Sequence, residues 1–231
     1  MDRRADVKRT YDRIATHFAS TREYAWPEVQ SFVSALDSPG TADSGAPSES
    51  GEARPVTGLD LGCGNCRHAE LLAADCDRVL GIDVSRNLLE TGRERATARD
   101  FEVNLLCGDA ARLPLADETV DVAVYVATIH HLPTRAARID SLDELARVLS
   151  PGGRGLVSAW STAHSRFEDC GGDGFDTTIE WTLPGGETVD RFYHIYAPEE
   201  FEADLESSAL TLETWELSSG NCYAVVSSGE R

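Results

Sequence analysis

The run Gly58-Leu59-Asp60-Leu61-Gly62-Cys63-Gly64-Asn65 constrains this chain more than any other stretch. It reads as a buried strand that breaks into a glycine turn and opens a helix. Glycine lets backbone N–H groups approach a ligand because no Cβ stands in the way. About twenty residues on, a second apolar strand, Arg78-Val79-Leu80-Gly81-Ile82-Asp83, ends in an acid. A glycine turn with a downstream acid grips a nucleoside, and the acid takes the ribose hydroxyls.

Two nucleoside cofactors fit that geometry. A dinucleotide site wants a third glycine so that pyrophosphate and helix approach closely. Here Arg67 stands in that place, and nothing in the turn is built for pyrophosphate. The other candidate, S-adenosylmethionine, has no phosphate and carries an amino acid and a sulfonium. Asp60 is then expected to partner its positive methionine moiety. Gly62, Cys63 and Gly64 are expected to line the turn, with Asp83 and Val84 at the ribose. The third strand ends in Gly108-Asp109-Ala110, at the carboxyl edge where open α/β sheets bind ligands. Asp109 is expected to accept the adenine amino group beside Ala110, and Ala127 closes the site from the fourth strand. Three acids at three successive strand ends are also compatible with solvated loop charges, but their coincidence with a glycine turn favours a cofactor site.

The pattern around the turn alternates. Strands are expected over 56–61, 78–83, 102–107, 120–128 and 155–160, with helices over 66–74, 86–98 and 134–149. Such alternation builds βαβ units on a parallel sheet. Pro151-Gly152-Gly153 is expected to break the chain after the last of these helices. Runs 210–217 and 222–227 then alternate as a closing hairpin. The fold expected is α/β, Rossmann-like: a seven-stranded, mostly parallel sheet with an antiparallel C-terminal hairpin strand and helices on both faces. That is class I methyltransferase architecture rather than a dehydrogenase. Residues 1–36 are expected to form an N-terminal helical cap, because Val7, Tyr11, Ile14 and Phe18 recur at helical spacing. Residues 38–54, low in complexity, are expected to be a flexible surface loop. A single domain accounts for the 231 residues.

Composition adds a setting. The formal net charge is −19 and Lys8 is the only lysine. Acid-rich, lysine-poor composition suits a high-salt cytoplasm, so a haloarchaeal source and a cytoplasmic location are expected; an ordinary acidic protein from a GC-rich genome is the alternative. The six cysteines lack disulfide spacing. Cys63 and Cys66 form C-x-x-C without a second pair, so no metal site is expected.

Further blocks carry a closer resemblance. Tyr11-Asp12-Arg13-Ile14-Ala15-Thr16-His17-Phe18-Ala19-Ser20-Thr21-Arg22 with Trp26-Pro27, then Ile129-His130-His131-Leu132, then Asp190-Arg191-Phe192-Tyr193-His194-Ile195-Tyr196, and finally Gly220-Asn221-Cys222-Tyr223 resemble the tRNA wobble-uridine carboxymethyl methyltransferases. Membership would imply esterification of 5-carboxymethyluridine in the tRNA anticodon loop, with a small zinc-binding activator protein as partner. Cys66 departs from the family's glycine, which suits the turn provided its φ is not positive. Cys222 and Phe192 replace a tryptophan and a tyrosine. The substrate carboxylate needs a cationic or hydrogen-bonding clamp. Arg22, Arg191, His17 and His194 are the candidates, and His130 or His131 is expected in the substrate pocket. Tyr193 or Tyr196 would stack on the uracil or else pack as core aromatics. The basic face of residues 1–22 would touch anticodon-stem phosphates or else be a solvated helix face. A methyltransferase acting on a small metabolite and a non-catalytic scaffold are the alternative functions.

Overall fold

The computed structural model describes residues 3–36, 54–167 and 170–229. Two helices, α1 (Arg3–Ser20) and α2 (Pro27–Leu36), precede the sheet. Then follow β1 (Thr57–Leu61), α3 (Arg67–Leu72), β2 (Arg78–Asp83), α4 (Arg86–Arg99), β3 (Asn104–Cys107), β4 (Val120–Val126), α5 (Arg135–Val148) and β5 (Leu149–Trp160). The chain closes with β6 (Phe175–Thr182), β7 (Thr188–Ile195), α6 (Pro198–Glu206), β8 (Leu210–Ser218) and β9 (Asn221–Ser228). The main sheet has seven strands in the order β3-β2-β1-β4-β5-β9-β8. Its first five neighbours are parallel, whereas β9 runs antiparallel to both β5 and β8. The expected architecture is the observed one. Of the 38–54 stretch, all but Arg54 lies outside the described residues.

Side-chain alternation explains why the sheet is covered on both faces. Leu59, Leu61, Ile82 and Tyr125 point to one face and meet Leu142 and Leu145 of α5 and Phe201 of α6. Val79, Val122 and Val124 point to the other and meet Val29 and Val33 of α2 and Leu72 of α3. Every residue of β1 is buried, as a central parallel strand requires. Serine and threonine start the long helices: the Ser85 hydroxyl accepts from Leu88 N–H at 3.2 Å and the Thr134 hydroxyl from Ala137 N–H at 3.2 Å.

Two features differ from the pattern read in the sequence. Pro151-Gly152-Gly153 does not separate helix from strand: β5 starts at Leu149 and carries that tripeptide through a bulge, where the register shifts between Val120 and Val122. The second is a separate antiparallel hairpin, β6–β7, which places Trp181, Arg191 and Tyr193 beside α1. Its signal was present, since Phe175–Thr182 alternates in β-branched and aromatic residues and Pro184-Gly185-Gly186 supplies a turn.

Cys66 stands at φ +62°, the left-handed region, and is fully buried. The condition under which cysteine suits this position is therefore not met, and the turn carries strain of about 1–2 kcal/mol that glycine would relieve. The side chain is accommodated because Gly92 of α4 leaves room: a Cβ there would sit 2.5 Å from Cys66 Sγ. Gly92→Ala is expected to destabilise the protein by about 1–3 kcal/mol through overpacking. In a Cys66→Gly background the same change should be neutral or stabilising, since alanine exceeds glycine in a helix by about 1 kcal/mol. Thermal melts of the four proteins test this; simply additive shifts would refute the coupling.

Candidate functional site

A cavity of about 390 Å³ opens at the carboxyl edge of the parallel strands, between the sheet, α1 and the β6–β7 hairpin. Its floor is the glycine turn. Gly62 has φ +74°, and a Cβ on it would lie 2.1 Å from Thr128 Oγ1. Gly64, also at positive φ, has nothing within 4 Å of its Cβ position, so the backbone there faces open space.

Asp83 holds this turn. Its Oδ2 accepts Gly64 N–H at 3.0 Å and its Oδ1 accepts Ser85 N–H at 2.8 Å. Burial pushes its carboxyl up to about 6, opposed by those backbone donors. Asp83, Val84, Gly62, Cys63, Gly64, Ala110 and Ala127 all line the cavity. Asp109 lies at the rim, where its Oδ1 accepts Ala111 N–H at 2.9 Å and its Oδ2 pairs with Arg4 of α1 at 2.9 Å.

Asp60 does not line the cavity. It is 1% exposed, sits behind the turn and accepts Ala69 N–H of α3 at 2.9 Å. Burial raises its carboxyl to about 7. A strand-end acid can thus secure the helix it precedes instead of facing the ligand, and sequence spacing does not separate the two. The cavity's cation on this side is one the sequence reading passed over. Arg67, at the missing third glycine, lines the cavity with its guanidinium 5.1 Å from the Trp26 ring. Burial and nearby Arg22 lower it to about 10.

The hairpin side carries a second cation. Arg191 is buried, donates from Nη1 to Tyr193 Oη at 2.6 Å, and lies 4.8 Å from the Trp181 ring centroid. Its Nε has no partner, and no acid among the described residues pairs with it. Arg22 stacks 4.7 Å from Phe18 and 5.6 Å from Trp181, also lines the cavity, and is lowered chiefly by burial.

The histidines divide. His130 lines the cavity; its Nδ1 accepts Trp160 N–H at 2.9 Å, which leaves the neutral ring's proton on Nε2. Burial holds it well below the usual histidine range. His131 donates from Nδ1 to the Phe192 carbonyl at 2.9 Å, so its Nε2 accepts the Tyr11 hydroxyl at 2.8 Å. Burial lowers it to about 4. His17 and His194 are not among the cavity-lining residues. His17 accepts Trp181 Nε1–H at 3.1 Å and so orients that ring. His194 lies between two carboxylates, Asp176 at 2.9 Å and Glu200 at 2.9 Å, and ties the hairpin to α6. Tyr196 is fully buried, with its hydroxyl on Asp204 at 3.3 Å, whereas Tyr193 lines the cavity.

The basic face of α1 is neutralised internally. Arg4 pairs with Asp109, Lys8 with Asp12 at 2.5 Å, Arg9 with Asp6, Arg13 with Glu187 and Arg3 with Asp176. These pairs are largely solvent-exposed, so they hold the cations only weakly. Among the described residues there is no cluster of three or more histidine, cysteine or acidic side chains fit for a metal. No helix among them is long and apolar enough to cross a membrane.

A glycine turn and a buried strand-end acid lie beneath cationic, aromatic walls, and known proteins similar to the chain are methyltransferases. Residues 59–157 match the methyltransferase domain family. The chain is 36% identical over 156 residues to the mouse tRNA (carboxymethyluridine(34)-5-O)-methyltransferase ALKBH8, covering 67% of this chain and 20% of that protein. It thus spans only a fifth of that relative's length. An Encephalitozoon cuniculi protein named for a methyltransferase is 32% identical over 197 residues, covering 84% of this chain and 81% of that protein. Among solved structures, an S-adenosylmethionine-dependent methyltransferase from Clostridium acetobutylicum superposes with a TM-score of 0.69 at 13% identity, covering 95% of this chain and 99% of that one. A Haloferax volcanii methyltransferase, solved in complex with the Trm112 methyltransferase activator, superposes at 0.66 with 14% identity, covering 97% and 98%. The chain belongs to a family of methyltransferases. Over 67% of its length it is similar to that mouse tRNA (carboxymethyluridine(34)-5-O)-methyltransferase.

Two pH effects follow. An ionised carboxylate accepts hydroxyl donors more strongly than its acid, so where Asp83 holds the ribose the dissociation constant for S-adenosylmethionine should rise as pH falls below about 6, where Asp83 takes a proton. Asp83→Asn should bind weakly with a flat pH profile; calorimetry across pH 5–8 (about 1 pH unit either side of that value and beyond) checks both. His131 acts on stability. Its folded value of about 4 lies below the unfolded value of about 6.5, so its contribution is complete above pH ~6.5 and is lost as pH falls towards ~4. Denaturant melts should show that loss, and His131→Gln should reduce its slope.

Proposed function

We propose that this enzyme methylates the carboxylate of 5-carboxymethyluridine at the tRNA wobble position, forming the methyl ester. The observation that carries this reading is Arg191, a buried guanidinium with no acid partner among the described residues and an unpartnered Nε. A buried cation left unpaired is costly unless an anion joins it. In a protein of net charge −19, an acid-free arginine in the cavity suits a carboxylate substrate. The activity for which the mouse relative is named supports the same acceptor.

When bound, S-adenosylmethionine supplies a sulfonium-borne methyl group that a carboxylate oxygen takes directly. Asp83 would hold the ribose, Asp109 and Ala110 the adenine end, and Arg67 the methionine carboxylate. No residue need remove a proton, because a carboxylic acid, which ordinarily titrates near pH ~4, is already ionised at neutral pH. Arg191, joined by Arg22, orients the carboxylate. Their aromatic packing on Trp181, Phe18 and Tyr193 limits water around the ion pair. His130 and His131 stay neutral there, which spares the nucleophile a third cation. His17 and His194 act indirectly, by setting Trp181 and the hairpin. A methyltransferase activator protein would be the enzyme's partner, as in the Haloferax volcanii complex with the Trm112 activator; the sequence resemblance implies that this partner is small and binds zinc.

Mass spectrometry of wobble nucleosides from a deletion strain tests the reaction; unchanged methyl-ester content would sink it. Arg191→Ala is expected to lower kcat/KM on carboxymethyluridine tRNA by at least about thirtyfold, as loss of a buried charge pair costs about 2–5 kcal/mol. Its affinity for S-adenosylmethionine should stay within about threefold of wild type.

A further inference from the structure

Residues 21–26, between α1 and α2, run along the cavity rim, with Arg22 and Trp26 lining it. The segment has little regular structure but is held at almost every residue. Asn65 of the glycine turn donates from Nδ2 to the Arg22 carbonyl at 2.8 Å. Arg95 of α4 donates to the Glu23 carbonyl at 2.6 Å, and Arg99 pairs with the Glu23 carboxylate. Gln30 donates to the Ala25 carbonyl at 3.0 Å, and Trp26 packs against Tyr223 and Arg67. Between these anchors the Tyr24 side chain stands 77% exposed, more than any other large apolar side chain described.

We propose that Tyr24 is a stacking platform for an unpaired base that flanks the nucleotide entering the cavity. This rests on the tRNA reading above. A tyrosine on an anchored strap loses little freedom on binding, and base–aromatic stacking tolerates any sequence. The rim is where the rest of a polynucleotide must lie once one base is inside. Stacking also adds affinity where the net charge of −19 opposes phosphate contacts and the α1 cations share their charge with neighbouring acids. Sequence spacing did not expose the residue, because a lone tyrosine in a linker carries no pattern.

The test is steady-state methylation of an anticodon stem-loop bearing 5-carboxymethyluridine by wild type, Tyr24→Ala, Tyr24→Phe and Tyr24→Trp. Tyr24→Ala should raise KM for the stem-loop about five- to a hundredfold with kcat retained. Tyr24→Phe should match wild type, and indole fluorescence of Tyr24→Trp should be quenched by the stem-loop and not by the free nucleoside. An unchanged KM in Tyr24→Ala would overturn the proposal. So would loss of activator-protein binding by Tyr24→Ala with stem-loop quenching of Tyr24→Trp absent, which would mark Tyr24 as a protein contact. Were wild type inactive on the stem-loop with the activator protein also present, the tRNA reading would fall, while fluorescence quenching by the same loop would still decide the stacking.

Discussion

The two hydrogen bonds accepted by Asp83 hold this molecule's working end together. One fixes Gly64 of the turn after β1, and the other fixes Ser85, which starts α4. Ser85 in turn donates from its hydroxyl to Asp12 of α1, and Asn87 donates to the Asp12 carbonyl. A single buried carboxylate therefore links two strand ends, the cap of α4 and the helix that roofs the cavity. Because it is dehydrated, those bonds count for more than they would in water. The cofactor's ribose would meet an acid whose orientation is already set.

Electrostatics divides the surface from the site. Outside, arginines of α1 meet acids of the hairpin and the sheet edge, as a crowded acidic chain allows. Inside, Arg22, Arg67 and Arg191 rest on aromatic faces instead of carboxylates. Such contacts keep the guanidinium forks free for a ligand anion while lowering the cost of burying them. In the proposed reaction, these three arginines would serve two ligand carboxylates, one on the cofactor and one on the acceptor.

Much of this was legible in the residues. Strand and helix periodicity along 57–160 gave the parallel sheet, and the runs after residue 210 gave its antiparallel finish. Gly62, Gly64 and Asp83 identify a nucleoside site because a phosphate-free turn and a strand-end acid leave few other uses. Asp60 and Asp83 look alike in sequence, however. Both accept a backbone N–H at the start of the following helix, Ser85 for Asp83 and Ala69 for Asp60, and only the packing of the turn leaves Asp83 on the cavity wall. The same holds for His17 and His194, whose motif positions match candidate clamps but whose nitrogens are engaged by Trp181, Asp176 and Glu200.

The sequence by itself determined the fold class and pointed to the kind of cofactor, because periodicity and glycine placement are local properties. Tertiary structure decided which cation stays unpaired. It brought Arg191 across from the hairpin to Arg22 of the α1–α2 strap, and it assigned the α1 cations to acids up to 174 positions away. It also put Cys66 at positive φ, tolerated through a gap at Gly92 of another helix. Charge pairing and burial are set by neighbours in space, and no local pattern records them.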